Sequence, residues 1–167
     1  YPPSFYHIEQ LKSLTRFRDS LVRQHSKQLV ALTNILDKVF PEFKPFFDGR
    51  FSVTALYILS HYQSPEKIAN MNAKSYEALR KKSRGKFSMV KFAQLKALAK
   101  NTVGRSDAFL LKQMEITIDI ENQLDAKIGE IEAQISECIR GLNPPILTIP
   151  GIGELTAAVI LSEYGDI

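Results

Sequence analysis

The sequence predicts an all-α protein: two long, coiled-coil-like helices, a short-helix insertion between them and a C-terminal helix-hairpin-helix. Three observations predict it. Apolar residues recur at three- and four-residue steps over two long stretches. Ser, Asn and Gly punctuate the middle of the chain at short-helix spacing, and no segment alternates apolar with polar residues as a half-buried strand does.

The first long helix is expected from about Tyr6 to Val39, where Leu11, Leu14, Leu21, Leu29, Leu32, Ile35, Leu36 and Val39 form an apolar stripe without an internal Gly or Pro. Pro41 and Pro45, inside FPEFKPFFDGRF, end it. Phe40, Phe43, Phe46, Phe47 and Phe51 make this an aromatic-rich connection that should pack rather than stay in solvent. Short helices follow. Ser52 is placed to cap VTALYILSHY, and Ser64 to cap PEKIANM with Pro65 at the first helical position. Asn72 opens AKSYEALRKKS, closed by Gly85, and Ser88 opens MVKFAQLKALAKN, closed by Gly104.

The second long helix is expected over Ser106 to Leu142. Leu124, Ile128, Ile131, Ile135, Cys138 and Leu142 follow one another at steps of 4, 3, 4, 3 and 4, a heptad seam that calls for a helical partner. That partner is either the first long helix or a second copy of the chain. Gly141 and the Pro144-Pro145 pair are expected to end the helix. The resulting divisions are 1–40, 41–105, 106–142 and 143–167.

The last division holds the most informative stretch, LTIPGIGELTAAVIL from Leu147 to Leu161. Gly151 and Gly153 permit a tight turn with an open approach to the backbone, and the helix beginning near Glu154 presents unpaired N–H groups suited to a phosphate oxygen. Ile149 and Ile152 flank the glycines as apolar pins.

Charge is segregated along the chain. The net +4 divides into residues 74–105, with ten Lys or Arg and one acid, and residues 106–142, with three bases and eight acids. Residues 143–167 hold three acids and no base. Arg80, Lys81, Lys82, Arg84 and Lys86 form the dense part of the basic region, with Lys91, Lys96 and Lys100 following on the next helix. Such a patch attracts nucleic-acid phosphates, or else is a solvated face balanced by the acidic helix. The candidate nucleic-acid contacts are therefore Arg80, Lys81, Lys82, Arg84, Lys86, Lys91, Gly151 and Gly153.

Other chemistry is not supported. Glu115 with Asp119, and Glu121 with Asp125, share helix faces, but such pairs are usually solvated and lack a third ligand. His7, His25 and His61 have no metal spacing, and Cys138 and the serines have no evident activating partner. No phosphate loop, dinucleotide fingerprint, signal peptide or membrane-length apolar run is present. The single cysteine excludes an internal disulfide and fits a cytoplasmic setting. The missing initiator Met and the end at Ile167 lead to the expectation of a piece of a larger protein.

The order of parts resembles the 110/116/902 group of insertion-sequence transposases. The resemblance rests on LKSLTRFRDSLVRQ (Leu11 to Gln24), FPEF (Phe40 to Phe43), FSVTALYIL (Phe51 to Leu59), SPEKIA (Ser64 to Ala69), the long acidic helix and LTIPGIGELTAAVILSEYGDI (Leu147 to Ile167). It covers essentially the whole chain, and its last block is the most specific. It implies a parent protein with an N-terminal RuvC-like nuclease domain, a helical middle and a C-terminal transposase domain with a nucleophilic serine, recombining DNA under a structured bridge RNA. On that basis the chain is the nucleic-acid-contact and oligomerisation segment, with 143–167 opening the transposase domain. Neither catalytic set of the family matches a position here, so no cofactor is expected in the segment, while the parent would use a divalent metal such as Mg²⁺. The implied partners are DNA, a structured guide RNA and a second copy through the long helices, with no membrane. Two alternatives of other classes are a helix-hairpin-helix DNA-repair or recombination accessory, and a helical scaffold that binds only protein.

Overall fold

The computed structural model describes residues 3–165, with side chains from Tyr6 onward; Asp166 and Ile167, which close the most specific block of the resemblance, lie outside them. Among the described residues the protein is all-helical. The elements are α1 (Pro3–Val39), α2 (Phe43–Phe46), α3 (Val53–Tyr62), α4 (Pro65–Ala69), α5 (Ala73–Lys82), α6 (Met89–Lys100), α7 (Ala108–Leu142), a 3-10 helix (Pro145–Thr148) and α8 (Glu154–Tyr164). No helix of the described residues is long and apolar enough to cross a membrane.

The starts of the short helices follow from their capping residues. Ser52 Oγ accepts the Ala55 N–H at 3.1 Å, Ser64 Oγ that of Lys67 at 3.2 Å and Ser88 Oγ that of Lys91 at 3.2 Å. Asn72 and Ser75 form a reciprocal capping box on α5. Each satisfies an amide that the helix itself cannot, worth about 1 kcal/mol.

Three boundaries differ from the sequence expectation. Asp107, not Ser106, opens α7, its Oδ1 accepting the Leu110 N–H at 2.8 Å. At the other end Gly141 lies inside the last turn, and Asn143 makes the reversal at φ 43°, with its amide on the Ile139 carbonyl at 2.8 Å. Asn tolerates that left-handed conformation better than most residues. Gly104 does not cap α6, which ends at Lys100 with Asn101 as its cap. A Cβ on Gly104 would run into the Val39 carbonyl, so this glycine is needed for close backbone approach.

Contacts cut across the four consecutive divisions and define two compact units, each fed by both long helices: residues 1–26 with 122–167, and residues 27–121. In the second unit Leu32, Leu36 and Val39 of α1 share a core with Phe40, Phe43, Ile58, Leu79 and Leu95 and with Met114 and Ile118 of α7. The aromatic connection is thus a core element. Phe40 and Phe43 are 1% exposed. The α6–α7 connection is fastened by Glu42, whose carboxylate accepts from Thr102 Oγ1 at 2.6 Å and from the Val103 amide at 2.9 Å, and by the Arg105 amide on the Lys38 carbonyl at 2.7 Å.

In the first unit Leu11 of α1 packs with Ile135 and Ile139 of α7 and with Ala158 and Leu161 of α8. The heptad seam therefore finds a partner within the chain here. Its buried centre is Ile135 and Ile139, whereas Ile131, mid-seam in the sequence, is only half-buried. Ala157 and Ala158 are fully buried, the small side chains letting α8 approach closely. Thr15 and Ser162 hydroxyls meet at 3.2 Å in this contact, and Arg18 pairs with Glu132 at 2.7 Å.

Candidate nucleic-acid interface

The dense cations occupy one turn of the second unit. Arg80, Lys81 and Lys82 form the last turn of α5, where cations complement the carbonyl end of the helix dipole. The chain then reverses through two consecutive left-handed residues, Arg84 (φ 53°) and Gly85 (φ 78°), with the Gly85 amide returning to the Arg80 carbonyl at 2.8 Å. Ser83 holds the turn from inside: its Oγ donates to the Arg80 carbonyl and accepts the Phe87 amide at 3.0 Å. Arg80, Lys81, Lys82, Arg84, Lys86 and Lys91 are all exposed. Of these, Arg80 has an acidic neighbour, Glu77 at 3.8 Å, and Lys82 Nζ lies 5.7 Å from the centre of the Tyr57 ring.

The structure divides the remaining predicted cations. Lys86 and Lys91 meet at a cavity of about 560 Å³, together with Arg50 from the α2–α3 connection. Lys96 and Lys100 are five and nine residues beyond Lys91, roughly 140° and 180° around the helix, and so belong to another face. Lys96 instead lies 5.5 Å from the Phe92 ring centre. Sequence reasoning misses Arg50. Its signal is its place three residues after Phe47 in an aromatic run, next to the Asp48-Gly49 turn, where both residues take positive φ (55° and 71°).

The hairpin carries the other two predicted contacts. Its leading arm is the single 3-10 turn Pro145–Thr148, and its second is α8. Gly151 adopts φ 87°, which favours glycine, while Gly153 sits at φ −84° and ψ 174°, extended backbone that any residue adopts. The expectation that both glycines are needed for their backbone angles therefore holds for Gly151 alone. Both are exposed, with open space where a Cβ would stand. The start of α8 has no side-chain cap, and its first residue, Glu154, places a carboxylate there that pairs with Arg140 Nε at 3.2 Å. A phosphate arriving at this helix end would meet that carboxylate.

Two carboxylates are shifted downward. Burial pushes the Glu42 carboxyl up, but the hydrogen bonds from Thr102 and the Val103 amide outweigh it and hold the group below the usual range. The hydrogen bond from Arg16 pulls Glu163 down in the same direction, Nε to Oε1 at 3.2 Å, in an exposed pair. Among the described residues no cluster of three or more His, Cys, Asp or Glu could hold a metal ion. The acids of α7 are not all solvated as expected. Glu121 is 1% exposed, whereas Asp119 and Asp125 face solvent.

No family model, curated protein or solved structure matches the chain.

Proposed function

We propose that this chain is the nucleic-acid-binding segment of an insertion-sequence transposase, acting in DNA recombination with DNA and a structured guide RNA as partners, and that the turn from Arg80 to Lys86 is its main contact. The observation that carries the reading is the exposure of five cations around one sharp turn, of which Arg80 has an acidic partner, Glu77. Affinity for phosphate comes chiefly from counterions released by Lys and Arg. The hairpin offers the opposite balance, with Glu154 at the start of α8. That favours the basic turn over a hairpin-based repair accessory. The transposase assignment itself rests on the sequence resemblance alone.

Changing Arg80, Lys81, Lys82 and Arg84 to Ala tests the reading. Binding to duplex DNA should weaken for all sequences, and the slope of log K against log salt should flatten by up to about 3.6, because each phosphate that a cation neutralises contributes about 0.9. Gly151→Val should disturb the hairpin with little change in slope. Titrations of RNA and duplex DNA at several salt concentrations decide it. A quadruple variant that binds like the parent, beside a Gly151→Val variant that does not bind, would reverse the assignment.

A second reading has one observation in its favour. Phe109, Ile116 and Ile120 of α7 are exposed, 82%, 47% and 40% respectively, as a surface covered by another chain would be. A protein-only scaffold would bind no nucleic acid at low salt, which separates the two.

A further inference from the structure

The cavity beside the basic turn combines two chemistries that the net charge alone does not suggest. Its apolar part is aromatic. Phe47 and Phe87 lie nearly parallel, 15° between planes with centres 6.3 Å apart, and Phe46 meets Phe47 edge-on at 5.0 Å. Phe87 is buried, Phe46 and Phe47 are half-buried, and all three line the cavity. The polar part is cationic. Arg50, Lys86 and Lys91 stand at the cavity with one acid, Asp48, and none of the three cations has an ion-pair partner among the described residues. Two reversals frame the opening, Asp48-Gly49 and Arg84-Gly85, each of two left-handed residues. An ordinary solvated basic face has no reason to enclose a ring-lined recess.

At about 560 Å³ the space lies within the range of small-ligand sites and holds one aromatic base with its sugar. Its cationic excess selects an anion, and its rings select a flat, apolar one. We propose that this cavity receives the base of an unpaired nucleotide, stacked against Phe46 and Phe47, while Lys86, Lys91 and Arg50 hold the adjoining phosphates. The inference rests on the nucleic-acid reading above and adds that single-stranded rather than duplex nucleic acid engages this point. Stacking supplies affinity without base identity, because every base has a π-face. A strand entering here would continue past the exposed cations of Arg80 to Arg84, which add backbone attraction beside the recess.

The test uses the whole chain and three fluorescein-labelled probes: a twelve-nucleotide single-stranded RNA, the same sequence as single-stranded DNA, and its duplex. Phe47→Leu keeps an apolar side chain and removes the ring. It should weaken both single strands by roughly five- to a hundredfold, leave duplex affinity within about twofold and leave the salt slope unchanged. Lys86→Ala with Lys91→Ala should instead lower the slope by up to about 1.4 on single strands. A single-stranded DNA with abasic sites throughout should bind the unaltered protein more weakly than the base-bearing strand, which needs no variant and guards against a misfolded Phe47→Leu. The proposal is overturned if abasic and base-bearing strands bind alike, or if Phe47→Leu folds and binds single strands as the parent does. In either case, continued weakening by the quadruple Ala variant would leave the nucleic-acid reading standing. Failure of all three probes to bind the unaltered protein would overturn both.

Discussion

Gly85 and Gly151 use the same backbone device to opposite ends. Both are exposed left-handed glycines in sharp turns, at φ 78° and 87°, with open space around the missing side chain. Around Gly85 stand Arg80, Lys81, Lys82, Arg84 and Lys86. Around Gly151 the nearest charge in sequence is Glu154, already paired with Arg140. A glycine turn reverses the chain; the flanking side chains decide whether the reversal meets phosphate. The hairpin instead places Ala158 and Leu161 against Leu11, Ile135 and Ile139, which gives it a packing role.

The largest effect expected from this contrast is on stability. Ile135→Ala removes a fully buried side chain from beneath the hairpin and should cost about 2–5 kcal/mol, whereas Ile131→Ala, at a half-buried position, should cost clearly less. Thermal or denaturant unfolding measures both. If the hairpin is a packing element, Ile135→Ala should leave the salt slope of nucleic-acid binding unchanged at temperatures where the variant is folded. A slope that falls with Ile135→Ala would break the contrast.

Glycine substitutions sharpen it at a smaller scale. Gly85→Ala and Gly151→Ala each force a side chain into the left-handed region and should cost about 1–2 kcal/mol, while Gly153→Ala should cost less, because Ala adopts that extended backbone without strain and its stiffer unfolded chain offsets its poorer fit as an N-cap. The motif spelling treats Gly151 and Gly153 alike; the unfolding midpoints should not. Equal losses at the two positions would mean that Gly153 has a constraint other than its backbone angle.

Which features are legible in the sequence follows from their range. Caps are local, one side chain reaching an amide a few residues on, and Ser52, Ser64, Asn72 and Ser88 all stand where their residue types place them. Long stripes are also local, and α1 and α7 are visible from spacing alone. What escapes depends on segments distant in sequence. Gly104 reads as a helix stop until the Val39 carbonyl is seen against it. Ile139 is off the heptad count because α8 as well as α1 covers that side of α7. Arg50 joins Lys86 and Lys91 only because the Phe connection packs against the segment after α5, with Phe46 and Phe47 meeting Phe87. The candidate site is therefore half visible: its charge is a property of a segment, its cavity a property of packing.

The smallest expected effect separates the two units by how each holds a carboxylate. Glu42 and Glu163 both sit below the ordinary carboxyl value of 4.5, so each contributes stability that is present above that value and lost as pH falls through its folded value. Their partners differ. Glu42 is held by neutral donors, Thr102 and the Val103 amide, which salt does not screen, whereas Glu163 is held by the exposed Arg16, which salt does screen. Glu42→Gln should lower stability at pH 7 by about 1 kcal/mol, the scale of a hydrogen bond to a charged acceptor, and flatten the loss as pH falls below the ordinary carboxyl range. That difference should survive about 1 M salt. Glu163→Gln should alter the same profile only at low salt. A Glu42→Gln variant whose acid profile overlays the parent's would show that the α6–α7 connection is fastened by the Arg105 amide and by Gly104's approach to Val39, and that the carboxylate contributes nothing.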